Sequence, residues 1–407
     1  MAKVVVLGGG GGIGRVAVRA LAVSDGLDEI VVADARLSVA EEVAATEGRG
    51  RAKAVAFDAN DPASMVSVLR GARVAVGCVG PFHRFGVPCL EAAIAAKVDY
   101  VDVCDDLEPT RHMLELDGRA KDAGISAIVG MGNSPGLANV FAKLCADSLL
   151  DVVESVDIYH AHGGEPEEGP AVIHHRIHAM TTDVPVFLEG KMQSVRQLEA
   201  SGQALVHEVE FRNVGALPVF PYPHPETITL PRHIPSLRRV TNMGVVFPIS
   251  YFKLTQDMVR TGACTQSPLD VKGTTIIPRD FSVAHILSQR ARLLSEAGVM
   301  GPGGCLKVVV GGLRRGEQIR YELSLSSKTA GAGEGTGIPA AVGAMLVARG
   351  DVLGRGVMPP EAAVRPLEVL GLAMEIVGKL GMAGAGETLF VEKIDSKGAR
   401  TSVPLAM

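Results

Sequence analysis

Residues 3–15, Lys-Val-Val-Val-Leu-Gly-Gly-Gly-Gly-Gly-Ile-Gly-Arg, limit what this chain can fold into more than any other stretch. A short β-branched run ends in five consecutive glycines, and a helix-forming segment, Val16 to Leu21, follows at once. Strand, tight turn and helix in that order turn a glycine pattern into a dinucleotide-binding site. Gly9, Gly11 and Gly14 satisfy G-x-G-x-x-G, while Gly8, Gly11 and Gly14 satisfy a looser G-x-x-G-x-x-G. Glycine is needed there to turn sharply, to let backbone N–H groups approach a pyrophosphate and to seat the helix close to the strand. The helix N-terminus then offers unpaired N–H groups and partial positive charge to phosphates, with Gly12 counted among the cofactor-binding glycines. Ile30-Val31-Val32-Ala33 reads as the next strand and ends in Asp34, about 20 residues beyond Gly14, where an acid binds the adenosine ribose hydroxyls. An acid there repels a 2′-phosphate and favours NAD; after Ala35, Arg36 is placed to accept that phosphate and keeps NADP open.

At 407 residues two domains are the natural expectation. A net charge of −5 gives no basic footprint for nucleic acid. No uncharged apolar run reaches the roughly 18 residues of a membrane span, so no membrane role is expected. Six scattered cysteines without a C-x-x-C pair point to reduced thiols and a cytoplasmic location.

Residues 1–131 alternate strands and helices: a helix over 39–45, a strand over 52–57, a helix over 62–69 opened by Asp61, and a strand over 74–79. A helix over 88–96, a strand over 100–103, a helix over 109–123 and a strand over 126–129 complete the series. This is the pattern of an α/β, Rossmann-type doubly wound parallel sheet. Ligands bind such sheets at the carboxyl ends of strands, which directs attention to Asp34, Asp58 with Ala59, Gly80 to Phe82, Asp102 to Asp106 and Gly130 to Gly136. Residues 132–350 read differently, with polar–apolar alternation at 155–159 and 206–211 and a hairpin around Arg314 to Glu317. They predict a second α+β domain with a largely antiparallel sheet. An apolar helix over 337–348 closes it, and residues 351–407 are expected to return as helices to the first domain.

Several segments together resemble the saccharopine dehydrogenase-like family of NAD(P)-dependent oxidoreductases. They are Val4 to Gly14, Phe57 to Asp61, Gly80-Pro81-Phe82, Tyr100-Val101-Asp102, Gly130 to Leu137, Gly337 to Ala341 and Gly356 to Glu361. The likeness is close in the first third and loose over 150–300. It implies hydride transfer at a carbon–nitrogen bond of an amino acid or amine, and a homodimer joined through the second domain. By position it puts Gly9, Gly11, Ile13 and Gly14 on the pyrophosphate, Asp34 on the ribose and Asp58 at the adenine. It sets Gly80, Pro81 and Phe82 beside the nicotinamide. The chain has one glycine more than the usual loop and no evident match to the substrate-binding basic residues of saccharopine enzymes.

Amine oxidation needs a base for the N–H proton. Asp102, Asp105 and Asp106 end a sheet strand and are candidates, with helix capping as the rival role. Asn133, Ser134 and Pro135 form a turn into a helix and face either nicotinamide or substrate, unless they are an ordinary cap. His160, His162, His174, His175 and His178 crowd one segment. Without an acid or cysteine at metal-ligand spacing they read as pocket wall, or as surface or core histidines, rather than zinc ligands, with His174 as a candidate base and His175 as a substrate contact. Arg176 is suited to bind a substrate carboxylate in bidentate fashion, with a surface ion pair as the more common fate of an arginine. Arg232 stands in the proline-rich segment 227–235, which suits either a pocket lid contacting substrate or a rigid domain-edge loop. No metal is expected. The competing functions are reduction of a C=C or C=O bond in a lipid-like substrate, and NAD(H) sensing without turnover.

Overall fold

A computed structural model describes residues 2–328, 331–382 and 389–404. Six strands come first: β1 (Lys3–Leu7), β2 (Glu29–Asp34), β3 (Ala52–Ala56), β4 (Val74–Gly77), β5 (Asp99–Asp102) and β6 (Ser126–Ile128). Between them run α1 (Gly12–Ala22), α2 (Leu37–Thr46), α3 (Pro62–Leu69), α4 (Phe82–Ala96), α5 (Leu107–Glu115) and α6 (Asp117–Ala123). With Gly356–Met358 they form one seven-stranded parallel sheet, ordered 356–358, β6, β5, β4, β1, β2, β3. The order reverses between β1 and β4, the crevice in which such sheets take ligands. Val4, Val5, Val6 and Leu7 are wholly buried, as expected of a parallel strand covered on both faces. Asp61 caps α3 by accepting the Ala63 N–H at 2.9 Å. Two expected boundaries moved. The single helix over 109–123 is two helices, broken at Leu116 (φ −80°, ψ 1°). The helix expected from Pro88 begins at Phe82 and carries that proline inside it.

Helix α7 (Leu137–Leu144) and a π-helical turn at Cys145–Leu149 lead into the second domain. Its first half holds β7 (Val152–Gly163), α8 (Pro170–Thr181), β8 (Val184–Leu188), β9 (Lys191–Val195), α9 (Ala200–Gln203), β10 (His207–Phe211), β11 (Gly215–Pro221) and α10 (Glu226–His233). Next come β12 (Arg239–Phe247), α11 (Ile249–Arg260), the small hairpin β13 (Leu269–Val271) and β14 (Thr274–Ile276), α12 (Pro278–Glu296), β15 (Gly303–Arg314) and β16 (Glu317–Ser327). The chain ends through α13 (Ala332–Arg349), β17 (Gly356–Met358), α14 (Pro360–Ala363), α15 (Pro366–Lys379), β18 (Leu389–Ile394) and β19 (Arg400–Ser402). The second sheet has ten strands, ordered β10, β11, β12, β7, β15, β16, β18, β19, with β8 and β9 branching from β12. Only β12 and β7 among these pairs run parallel.

The last third is shared differently from expectation. Helix α13 packs on the first domain: a Cβ on Gly337 would lie 2.7 Å from the Val16 Cβ, and one on Gly343 2.8 Å from the Met131 Cγ. The tail divides, β17 joining β6 in the first sheet while β18 and β19 extend the second from β16. The proline-rich segment expected as a lid is helix α10, which buries Glu226 to Leu230. Among the described residues no helix is long and apolar enough to cross a membrane.

Candidate active site

The two domains meet over the carboxyl ends of β5 and β6. On the first-domain side the glycine loop is set by contact. Gly8 takes φ +75°, and a Cβ there would stand 2.7 Å from the Cys78 carbonyl oxygen; one on Gly14 would stand 2.3 Å from the Gly8 oxygen. Gly9 is equally confined, against Val32. A Cβ on Gly12 would instead meet nothing within 4 Å, and α1 starts at that residue with no side-chain cap. The start of α1 at exposed Gly12, followed by half-buried Ile13, therefore borders open space beside Gly11. A cradle with tight walls and a bare amide floor fits a pyrophosphate.

Asp34 ends β2 with its carboxylate pinned by main chain, Oδ2 accepting from Gly10 N and Oδ1 from Arg36 N, each at 3.1 Å. The Arg36 side chain is mostly exposed, and Ala35 beside it is exposed. Asp58 closes an Asx turn by accepting from Asn60 N at 2.8 Å, next to half-buried Ala59. Gly80, Pro81 and Phe82 form the turn from β4 into α4.

Asp102 is wholly buried. Its Oδ1 accepts from Gly130 N at 2.8 Å and Cys104 N at 3.1 Å, so the side chain fastens the β5 loop to the loop after β6. Burial pushes its pKa up to about 6 against those two N–H groups. Two residues on, Asp105 and Asp106 turn toward α8. His175 stands between them, Nδ1 at 3.5 Å from Asp106 and Nε2 at 3.9 Å from Asp105. Burial lowers the imidazole pKa, but the two carboxylates outweigh it and lift it to about 9. His175 is thus a cation in neutral water, and its charge in turn holds Asp106 below its usual range despite burial. Among the described residues these three alone are spaced to share a cation, and both ring nitrogens already face a carboxylate. His174, the expected base, is exposed on α8, because one residue turns a helix by about a quarter circle.

A second cluster joins the loop after β6 to the second domain. Ser134 Oγ donates to Glu226 Oε1 of α10, receives Asn242 Nδ2 of β12 at 3.0 Å, and lies 3.3 Å from His224 Nδ1. Asn242 Oδ1 lies 3.0 Å from His160 Nε2 on β7. His160 and His224 stack at 5.1 Å and 7°, and Tyr222 meets both edge-on. Gly244 makes the room: a Cβ there would lie 2.0 Å from the His160 ring. Burial pulls His160 down to about 3 and His224 well below the usual range, so both rings are neutral. Glu226 has no exposure, and burial pushes its carboxyl up to about 7. Asn133 and Pro135 flank Ser134 in the same loop, half-buried and buried.

Arg176 is 1% exposed and does not face open cleft. Its Nη2 donates to Glu168 at 2.5 Å and its guanidinium lies 5.0 Å from the Tyr251 ring centroid. Glu168 also receives Tyr251 Oη at 2.6 Å and lies 3.2 Å from Arg290 Nε. This is a buried brace behind His175. Arg232 is exposed in the last turn of α10, whereas the first turn supplies Glu226. Sequence reasoning missed Glu226, Asn242, His224, Tyr222 and Glu168. Only histidine frequency hinted at His224; the others come together from segments as much as 108 residues apart, with no spacing to mark them.

Residues 4–128 match the family described as the saccharopine dehydrogenase NADP binding domain. The chain is 24% identical over 398 residues to a carboxyaminopropylagmatine dehydrogenase of Synechocystis sp., covering 91% of this chain and 96% of that one. It is 24% identical over 412 residues to a carboxynorspermidine synthase of Vibrio alginolyticus, covering 89% and 94%. The apo saccharopine dehydrogenase (L-Glu forming) of Saccharomyces cerevisiae has the same fold, with TM-score 0.67 at 16% identity over 99% and 100% of the two chains. Shorter stretches of 79 to 87 residues are 31–32% identical to mycobacterial trans-acting enoyl reductases. From glycine cradle to second sheet, the chain has the fold of saccharopine dehydrogenase, and its first domain matches that family's NADP binding domain.

Proposed function

We propose that this protein is an NAD(P)-dependent oxidoreductase acting at a carbon–nitrogen bond of an amine or amino acid. Bound nicotinamide supplies or accepts the hydride in such a reaction. The observation that carries the reading is His175, held charged between Asp105 and Asp106 at the carboxyl edge of the dinucleotide-binding sheet. A cationic imidazole beside two carboxylates can give a proton to an imine nitrogen, and the neutral ring left behind can take one from an amine. Asp105 and Asp106 add negative charge that suits a cationic substrate. The relatives covered over nearly their whole length are named for agmatine and norspermidine compounds, which are amines.

In this reading His175 takes the role expected for His174, and Asp102, closed off from the cleft, positions the loops rather than exchanging protons with substrate. Arg176 braces α8 through Glu168 instead of binding a carboxylate, and Arg232 stands outside the pocket. Asn133 and Ser134 border the reacting centre. Asp34 disposes the site toward NAD, since its pinned carboxylate occupies the end of β2 where a 2′-phosphate would sit. The lipid-like alternative calls for an apolar wall; stacked imidazoles and carboxylates argue against it.

The test is nicotinamide absorbance with purified protein, NADH and NADPH separately, against amines paired with aldehydes or keto acids. Oxidation of the reduced cofactor that requires both amine and carbonyl compound is the expected result. Turnover of enoyl or ketone lipids alone overturns the proposal.

A further inference from the structure

Ser134 Oγ has one hydrogen to donate and three neighbours that need one arrangement or another: Glu226, Asn242 and His224. Asn242 has a fixed polarity. Its Nδ2 lies against a carboxylate oxygen, 3.2 Å from Glu226 Oε1, so its Oδ1 faces His160 and requires hydrogen on that ring's Nε2. The remaining chain, Glu226 to Ser134 to His224, has two self-consistent proton arrangements. With Glu226 ionised, Ser134 donates to Oε1 and receives a hydrogen from His224 Nδ1, leaving Nε2 bare. With Glu226 protonated, its O–H donates to Ser134, Ser134 donates to Nδ1, and His224 carries its hydrogen on Nε2. That ring nitrogen has no hydrogen bond among the described residues.

We propose that Glu226 is the proton store of this site and exchanges with the His224 Nε2 through Ser134. The inference rests on the carbon–nitrogen reading above. A proton taken up at Nε2 releases the Nδ1 hydrogen to Ser134, whose own hydrogen passes to Glu226 Oε1. One proton enters, the carboxylate charge is neutralised, and His224 ends in the other neutral tautomer. Run backward, the same three transfers deliver one proton to a nitrogen at Nε2. Glu226 acts through its neighbours and is a positioning and storage residue rather than a catalytic one.

The surroundings favour a group that can be neutral. Among the described residues no lysine or arginine pairs with Glu226; its charged or titratable neighbours are Glu361 of α14, Asp105 and His224, whose Nδ1 lies 3.9 Å from Oε2. Oε2 itself is buried with no hydrogen-bond partner. Around His224 stand His160 on its face, with His162 and the charged His175, all of which oppose a positive charge on the ring. The ring therefore changes tautomer rather than charge.

The experiment is long-range nitrogen–proton NMR on full-length protein labelled with 15N-histidine, with His224→Gln used to assign the signals. Across the titration of Glu226 near pH 7, the His224 hydrogen should move from Nε2 at the acid end to Nδ1 at the alkaline end. Glu226→Gln, whose amide donates as the acid does, should hold the hydrogen on Nε2 throughout. Ser134→Ala should uncouple His224 from the transition even if the Gln variant fails to fold. A ring that keeps one tautomer across the range in the unaltered protein, or that still switches in Glu226→Gln, overturns the relay. With amine turnover in hand, both variants should lose kcat by about tenfold or more with cofactor affinity unchanged. Unaltered kcat and pH profile would sink the relay and leave the carbon–nitrogen reading standing. Absence of amine turnover would sink that reading while the tautomer remained measurable.

Discussion

The dinucleotide side of the cleft and the second-domain side are made of different material. Around Gly8 to Gly14 the functional atoms are main-chain amides, and at Gly8 and Gly14 a side chain would strike backbone. Across the cleft, His175, Ser134, Glu226, Asn242 and His160 work through side chains, each enclosed in part or wholly and each paired with a neighbouring side chain. A main-chain site tolerates changes of composition that keep its glycines; a side-chain network fails when one member is removed. The first wall is suited to a constant ligand, the second to a particular one.

Four changes sharpen that contrast, in decreasing order of effect. His175→Gln should lower kcat by roughly 10²–10⁴-fold while leaving nicotinamide affinity unaltered, read by steady-state kinetics and cofactor fluorescence. A loss in affinity instead of kcat would erase the division between the two walls. Arg176→Met strands Glu168 with one fewer cation and should destabilise the fold by about 3–5 kcal/mol in chemical denaturation; an unchanged midpoint with raised substrate KM would return Arg176 to substrate binding. Gly14→Ala forces a Cβ toward the Gly8 carbonyl and should cost about 1–3 kcal/mol, weakening the cofactor before it affects chemistry. Asp34→Ala removes two main-chain hydrogen bonds to a charged group and should weaken NADH binding by roughly tenfold, with NADPH affected less. Equal losses for both nucleotides would show that Asp34 shapes the loop and does not choose the cofactor.

A fifth prediction concerns pH. The folded-state pKa of His175, about 9, lies above its ordinary value of 6.5. Its ion pairs thus add stability fully below pH 6.5, and the contribution fades as pH rises through about 9. Melting temperature should decline over that window, and by less in His175→Gln.

The parallel sheet and its glycine turn were legible because local spacing decides them. Asp34 and Asp61 could be placed for the same reason: a residue at a strand end or before a helix has a fixed job. The second wall was only half legible. His160, His175 and Ser134 were recognised by residue type, but their partners were not, since Glu226 reaches Ser134 across 92 residues through folding alone. His174 and His175 are indistinguishable in a histidine-rich run until the register of α8 is known. Arg176 was ambiguous for a physical reason. A lone arginine near histidines suggests an anion, and nothing in the sequence pairs it with Glu168 rather than with a ligand.

The placement of β17 and α13 bears on how the protein is made. The first sheet lacks an edge strand, and α1 lacks its covering helix, until residues 332–358 have been synthesised. A nascent chain that has released only its first 131 residues would present Val16 and the outer side of β6 uncovered. Domains made early in synthesis usually fold early. Here the nucleotide domain gains its edge strand and covering helix only when residues 332–358 emerge, so both domains reach their full set of elements late in synthesis.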